Sequence, residues 1–220
     1  MTTALAVLIL GATGQVGQAL LQQALADKRV SRVTAPTRRP LATHAKLDNP
    51  IVDYDKLPPT APWWRVDVVL CALGTTMKLA GSQAAFYKVD HDYVLAAAKL
   101  ARAAGTPCFV LNSSTGAKPS AGSFYLRAKA ETEHDLAALG FPSLTVVRPS
   151  LLSGGKRPDS RPAEALSIGI ASLLGPLVPK RLRPISVEKV AAAMLQTGLL
   201  GAPGVSMIES DLLQDALTKP

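Results

Sequence analysis

Residues 5–25 read LAVLILGATGQVGQALLQQAL. An apolar run leads in, three glycines follow at equal spacing (Gly11, Gly14 and Gly17), and a segment with helical periodicity leads out. A strand, a glycine loop and a helix in that order form a phosphate-binding turn. The first glycine allows the tight turn, the second lets the backbone approach a pyrophosphate, and the third lets the helix pack on the strand. Amides at the helix start then face the anion. An ordinary turn needs one glycine or two, not three in register. Gly11, Ala12, Thr13, Gly14, Gln15, Val16 and Gly17 are therefore the expected cradle of a nucleotide.

Outward from this unit, apolar runs of strand length alternate with helical stretches. Strands are expected at 4–10, 31–36, 50–53, 65–72, 107–112 and 143–148. Helices are expected at 15–26, 82–104 and 123–139. Continuous apolar strands separated by helices indicate a parallel sheet covered on both faces. Right-handed crossovers then give an α/β, doubly wound fold. The Pro/Gly/basic stretch 149–162 changes the character of the chain. Beyond it, helices are expected near 163–174, 187–198 and 209–217, so 149–220 reads as a small C-terminal cap on a single domain with its core in 1–148.

Composition supports a packed domain: hydrophobic residues are 48% and charged ones 18% of the 220, the reverse of a disordered chain. Cys71 and Cys108 each lie in an apolar run and suggest buried thiols rather than a disulfide framework. The apolar stretch 4–10 is short, has no basic residue before it and runs into the glycine loop, unlike a signal peptide. A cytoplasmic setting is expected, with no membrane partner. The formal charge is +8, concentrated in 148–189. Those basic residues are scattered among prolines and glycines with few aromatics, so a nucleic-acid partner is not expected, and an anionic small ligand or a solvated surface is. His44, His91 and His134 lack metal-ligand spacing, and no metal is expected.

The type of nucleotide is read at the end of the second strand. An NAD site places an acidic residue there for the ribose hydroxyls. This chain has TAPTRRP, with Arg38 and Arg39. No carboxylate repels a phosphate, and two guanidiniums could clamp one. NADP(H) is the expected cofactor; a solvated basic turn is the other reading. Asp53 could accept from the adenine amino group or be a plain surface residue.

The segment SFYLRAKAETEHDLAAL holds Tyr125 and Lys129, four apart and so on one helical face. A phenol is a poor acid–base group at neutral pH, and a neighbouring ammonium favours its phenolate. Lys129 could also reach the nicotinamide ribose. The preceding strand ends in LNSSTG, so Ser113 or Ser114 sits at a strand tip, where open α/β sheets bind ligands. Such a hydroxyl could hold a substrate carbonyl while Tyr125 exchanges the proton.

Together these residues resemble the short-chain dehydrogenase/reductase superfamily of Rossmann proteins. The stretches LGTTMKLAGSQAAFYKVDHDYV, FVLNSSTGAKPSAGSFYLRAKAETE, VVRPSLL and DSRPAEAL are similar to an atypical subgroup, the Tat-interacting-protein-like oxidoreductases and their bacterial relatives. The resemblance implies NADPH bound by the glycine loop, Arg38, Arg39, Leu73, Gly74, Tyr125 and Lys129, with Leu152 and Arg161 as further neighbours. It implies that the helix 82–104 could serve a homodimer. The chain departs from standard members: CALGTT replaces their Asn-Asn-Ala-Gly stretch, and Asp90 or Asp92 stands near their helical Asn.

The expected activity is NADP(H)-dependent oxidation or reduction of a small alcohol or carbonyl substrate. Tyr125 is the acid–base, Lys129 its electrostatic partner, and Ser114, or failing that Ser113, the substrate anchor. Two rivals remain: a non-catalytic NADPH-binding regulator or redox sensor with a protein partner, and an epimerase or isomerase that keeps its nucleotide.

Overall fold

The computed structural model describes residues 4–154 and 179–215. Its first strand, β1 (Leu5–Leu10), sends Val7 and Ile9 to one face and Leu8 and Leu10 to the other, and all four are fully buried. Burial on both faces requires a helical layer on each side. The chain supplies one layer with α1 (Gln15–Ala26) and the other with helices further on.

After β2 (Val30–Thr34) and the short β3 (Leu47–Asp48), β4 (Val68–Cys71) pairs with the opposite edge of β1. Next come α2 (Met77–Ala80) and α3 (Gln83–Tyr87), which runs through a turn of π-helix (Lys88–Asp92) into α4 (Tyr93–Ala103). Then β5 (Cys108–Asn112), α5 (Phe124–Ala138) and β6 (Ser143–Arg148) follow. The strands β7 (Leu152–Ser153) and β8 (Ile185–Ser186) form a separate two-stranded pair. The described chain ends with α6 (Val187–Leu200), β9 (Gly204–Glu209) and α7 (Ser210–Asp215).

The main sheet has seven parallel strands in the order β3-β2-β1-β4-β5-β6-β9. The α1 and α6 helices cover one face, with Val16, Leu20, Val190 and Met194 in its core. The α4 helix, Leu136 of α5 and the fully buried Trp64 cover the other. The strand order reverses between β1 and β4, which opens a crevice at their carboxyl ends.

The expected doubly wound sheet is present. The expected cap over 149–220 is corrected in its described C-terminal part. There α6 packs on α1, and β9 adds to β6 as the seventh strand, from Ser143 opposite Gly204 to Arg148 opposite Glu209. The edge strand GVSMIE hides its nature because Val205 and Met207 face solvent, so it lacks the continuous apolar run of an inner strand. The third strand lies earlier than expected, at Leu47–Asp48, with only an isolated bridge at Ile51. The expected helix at 163–174 and Arg161 lie outside the described residues.

Candidate functional site

The glycine loop is wedged between two pieces of backbone. Gly11 has φ of 81°, and a Cβ there would meet Ala72 and Leu73 backbone at 2.6 Å. A Cβ on Gly17 would stand 2.0 Å from the Gly11 carbonyl oxygen. Both glycines thus let β1, α1 and the end of β4 close on one another. Gly14 is different: its Cβ would make ordinary contact, at 3.4 Å, and the residue is exposed. As the N-cap of α1 it offers no side chain to the first turn, so a ligand phosphate can take that place.

The loop borders a cleft of about 940 Å3 at the carboxyl ends of the strands. Of the expected cofactor neighbours, Thr13, Gly14, Gln15, Val16, Leu73, Gly74, Tyr125, Lys129 and Leu152 line it. Ser113 and Ser114 line it as well. Gly11, Ala12 and Gly17 do not reach the cleft wall, and Ala12 and Gly17 are buried. Arg38 and Arg39 are exposed just beyond β2, outside the main cleft. The link back is Tyr54. Its hydroxyl donates to the Pro36 carbonyl at 3.1 Å and lies near the Gly11 amide. Burial first, then the neighbouring Cys71, pushes its ionisation above the ordinary range, while Gly11 and Arg38 oppose that. Asp53 does not line the cleft; its carboxylate accepts from the Asp55 amide at 2.9 Å and caps a 3-10 turn.

Helix α5 carries the Tyr125–Lys129 pair. Ser123 caps it by accepting from the Leu126 amide at 3.2 Å. Tyr125, Lys129 and Glu133 then succeed one another along one face. The ring of Tyr125 packs on Phe86, centroids 5.5 Å apart. The amine of Lys129 is paired with Asp90, Nζ to Oδ1 2.8 Å, with both side chains buried. Burial pulls the Lys129 amine down, but the Asp90 charge and then Tyr125 outweigh it, so it stays above its ordinary value.

The two serines separate. Ser113 is buried and donates to Glu133, which is also gripped by the Arg148 guanidinium. Arg148 in turn reaches Glu209 at 2.9 Å. Hydrogen bonding to Glu133, opposed by burial and reinforced by Glu209, drives its ionisation well above the ordinary value. Ser114 is partly exposed at the cleft, and its hydroxyl makes one long bond, 3.5 Å, to the Thr115 carbonyl. Of the two serines, Ser114 is the more exposed to the cleft. The Ser113–Glu133–Arg148–Glu209 network was missed in the sequence because Arg148 reads there as surface charge. The spacing of Glu133 after Lys129, four residues, was the signal.

Among the described residues no group of His, Cys, Asp or Glu could hold a metal ion, and no helix is long and apolar enough to cross a membrane. Both cysteines are unpaired and buried.

Comparison with known proteins agrees with this geometry. The NAD(P)H-binding family matches residues 11–197. Protein HTATIP2 of Rattus norvegicus is 36% identical over 208 residues, covering 92% of this chain and 84% of the relative. Protein fmp52, mitochondrial, of Emericella nidulans is 39% identical over 182 residues, covering 77% and 76%. Among solved structures, MoeE5 in complex with UDP-glucose and NAD has a TM-score of 0.72 at 18% identity, covering 94% of this chain and 79% of that one. The PhqB reductase domain from Penicillium fellutanum has a TM-score of 0.70 at 17% identity, covering 94% and 67%. These structures share the fold. With a glycine loop at the crevice, a Tyr–Lys pair beside it and relatives along most of its length, the chain belongs to the NAD(P)H-binding Rossmann family.

Proposed function

We propose that the protein is an NADP(H)-dependent oxidoreductase acting on a small carbonyl or alcohol substrate. The observation that carries the reading is the meeting of Ser114, Tyr125, Lys129 and the uncapped start of α1 in one cleft. The dinucleotide, when bound, supplies or accepts the hydride. The chain's own residues do the rest. The first turn of α1 holds the pyrophosphate. Arg38 and Arg39, beyond β2 and free of any acidic neighbour in TAPTRRP, take the 2′-phosphate. Lys129 donates to the nicotinamide ribose and places its positive charge beside Tyr125. Ser114 orients the substrate oxygen; the Tyr125 hydroxyl gives that oxygen a proton in reduction, and the same side chain, once deprotonated, takes one from the alcohol in oxidation. Leu73 and Gly74 line the cleft beside Lys129. Two unpaired thiols suit a reducing compartment, and we place the protein in the cytoplasm.

The test is NADPH consumption with a panel of aldehydes and ketones. Tyr125→Phe is expected to lower kcat by about 100-fold or more while NADPH affinity stays within a few-fold. Absence of turnover by the wild-type protein across the panel, with NADPH bound, would favour the regulator instead.

A further inference from the structure

We propose that Asp90 is a positioning residue of the cleft, holding Lys129 charged and aimed and tying it to the loop after β4. The inference rests on the role given to Lys129 above.

Asp90 is only 1% exposed. Its Oδ1 lies 2.8 Å from Lys129 Nζ, and its Oδ2 accepts from the Thr75 amide at 2.7 Å. One carboxylate therefore joins α5 to the segment Leu73–Thr76 that lines the cleft. A Cβ on Gly74 would stand 3.0 Å from Asp90 Oδ1 and 3.6 Å from Lys129 Nζ, so the loop lies directly over the pair.

The backbone around Asp90 is built for this placement. Asp90 is the middle residue of the π-helical turn Lys88–Asp92. Such a turn inserts a residue into a helix and recurs at functional sites. The carbonyl of Asp90 accepts from the Thr132 hydroxyl at 3.1 Å. Its neighbours are pinned outward: Lys88 to Asp55 at 2.6 Å, and His91 to Asp135 at 3.0 Å while stacked on Tyr87. The turn is held from α5 and from the 3-10 turn Tyr54–Lys56, and it points one carboxylate inward.

The titratable groups facing the pair are Cys71 from β4 and Tyr125 from α5. Burial pushes the Cys71 thiol up to about 12, so it stays neutral and adds no charge. Without Asp90, a buried amine in this place would shed its proton. The ammonium needed beside Tyr125 and the ribose therefore depends on Asp90.

Two readouts test this. The first is denaturant stability from pH 5 to 9 for wild type, Asp90→Asn, Lys129→Met and the double variant, which needs no nucleotide. Lys129→Met strands a carboxylate and is expected to lose stability as pH rises. Asp90→Asn strands an amine and is expected to lose stability as pH falls. The double variant is expected to recover most of the stability lost in either single. Should Asp90→Asn alone not fold, Lys129→Met and the double variant carry the same comparison. The second readout is NADPH affinity. Asp90→Asn is expected to bind at least tenfold more weakly than wild type at pH 8, with the gap narrowing at pH 6 as the amine regains its proton. Parallel stability curves for the four proteins overturn the proposal. So does an Asp90→Asn affinity equal to wild type at both pH values, which would leave the pair a structural contact. Failure of wild type itself to bind NADPH removes the functional reading and this role with it, and is seen before any variant is made.

Discussion

Substitution of Gly17 and of Gly14 by alanine separates the packing of the glycine loop from its ligand role. At Gly17 the new Cβ would stand 2.0 Å from the Gly11 carbonyl oxygen and 2.9 Å from Ala12 Cα. Both are backbone atoms and neither can rotate away. The loop cannot slide either, because on its other side the Ala72 and Leu73 backbone lies so close that even a Cβ on Gly11 would come within 2.6 Å of it. Relief must come from α1 moving outward. Overpacking of this kind costs about 3 kcal/mol, offset by about 1 kcal/mol of improved helix propensity. A net loss of about 2 kcal/mol lowers Tm by roughly 4–8 °C in a domain this size. The displaced first turn also loses its phosphate contacts, and NADPH affinity is expected to fall at least tenfold, about 1.4 kcal/mol. Gly14→Ala meets only an ordinary contact at 3.4 Å, with φ of −77° that alanine adopts freely. Its stability should stay within about 1 kcal/mol of wild type, yet its methyl intrudes on the cleft and should weaken NADPH binding by at least tenfold, about 1.4 kcal/mol. Thermal melts and calorimetric titrations of both variants read this out. Wild-type affinity in Gly14→Ala would refute the placing of the phosphates over the loop, and wild-type stability in Gly17→Ala would refute the packing argument.

Glu133→Gln removes the buried charge that Arg148 and Ser113 share and leaves Arg148 only the more exposed Glu209, and should destabilise by about 3 kcal/mol in denaturant titration; Glu209→Gln, at the 41% exposed end of the same network, should cost less than about 1 kcal/mol. Equal effects would show that the buried half of the network has no special weight. Both thiols should be silent to a disulfide reagent at pH 8 in the native protein and react fully in denaturant, since burial raises both. From pH 9 toward 12 an unfolded thiol ionises while native Cys71, pushed up to about 12, keeps its proton. Its contribution to stability is therefore complete below pH 9 and declines as pH rises through that window; substitution of Cys71 by alanine should flatten the decline.

The inner strands and the principal helices were legible because burial on both faces leaves continuous apolar runs, as in VVLC and SLTVVR. The strand β9 was not, since an edge strand with Val205 and Met207 in solvent has no such run. The helix expected at 82–104 is present, but nothing in FYKVDHDYV announces the π turn, which arises where Lys88 and His91 find partners on other elements. In the site, glycine spacing and the Tyr125–Lys129 interval are local signals and were readable. The pairing of Lys129 with Asp90 crosses 39 positions, and the burial of Ser113 against Glu133 joins two separate elements, so both needed the tertiary structure.

The most direct test is a calorimetric titration of wild type and Arg38→Ala with NADPH and NADH. Wild type is expected to prefer NADPH by at least tenfold, about 1.4 kcal/mol, and Arg38→Ala to lose that preference while still binding both. If wild type binds neither dinucleotide, the glycine loop is only a turn and the proposed oxidoreductase reading is contradicted.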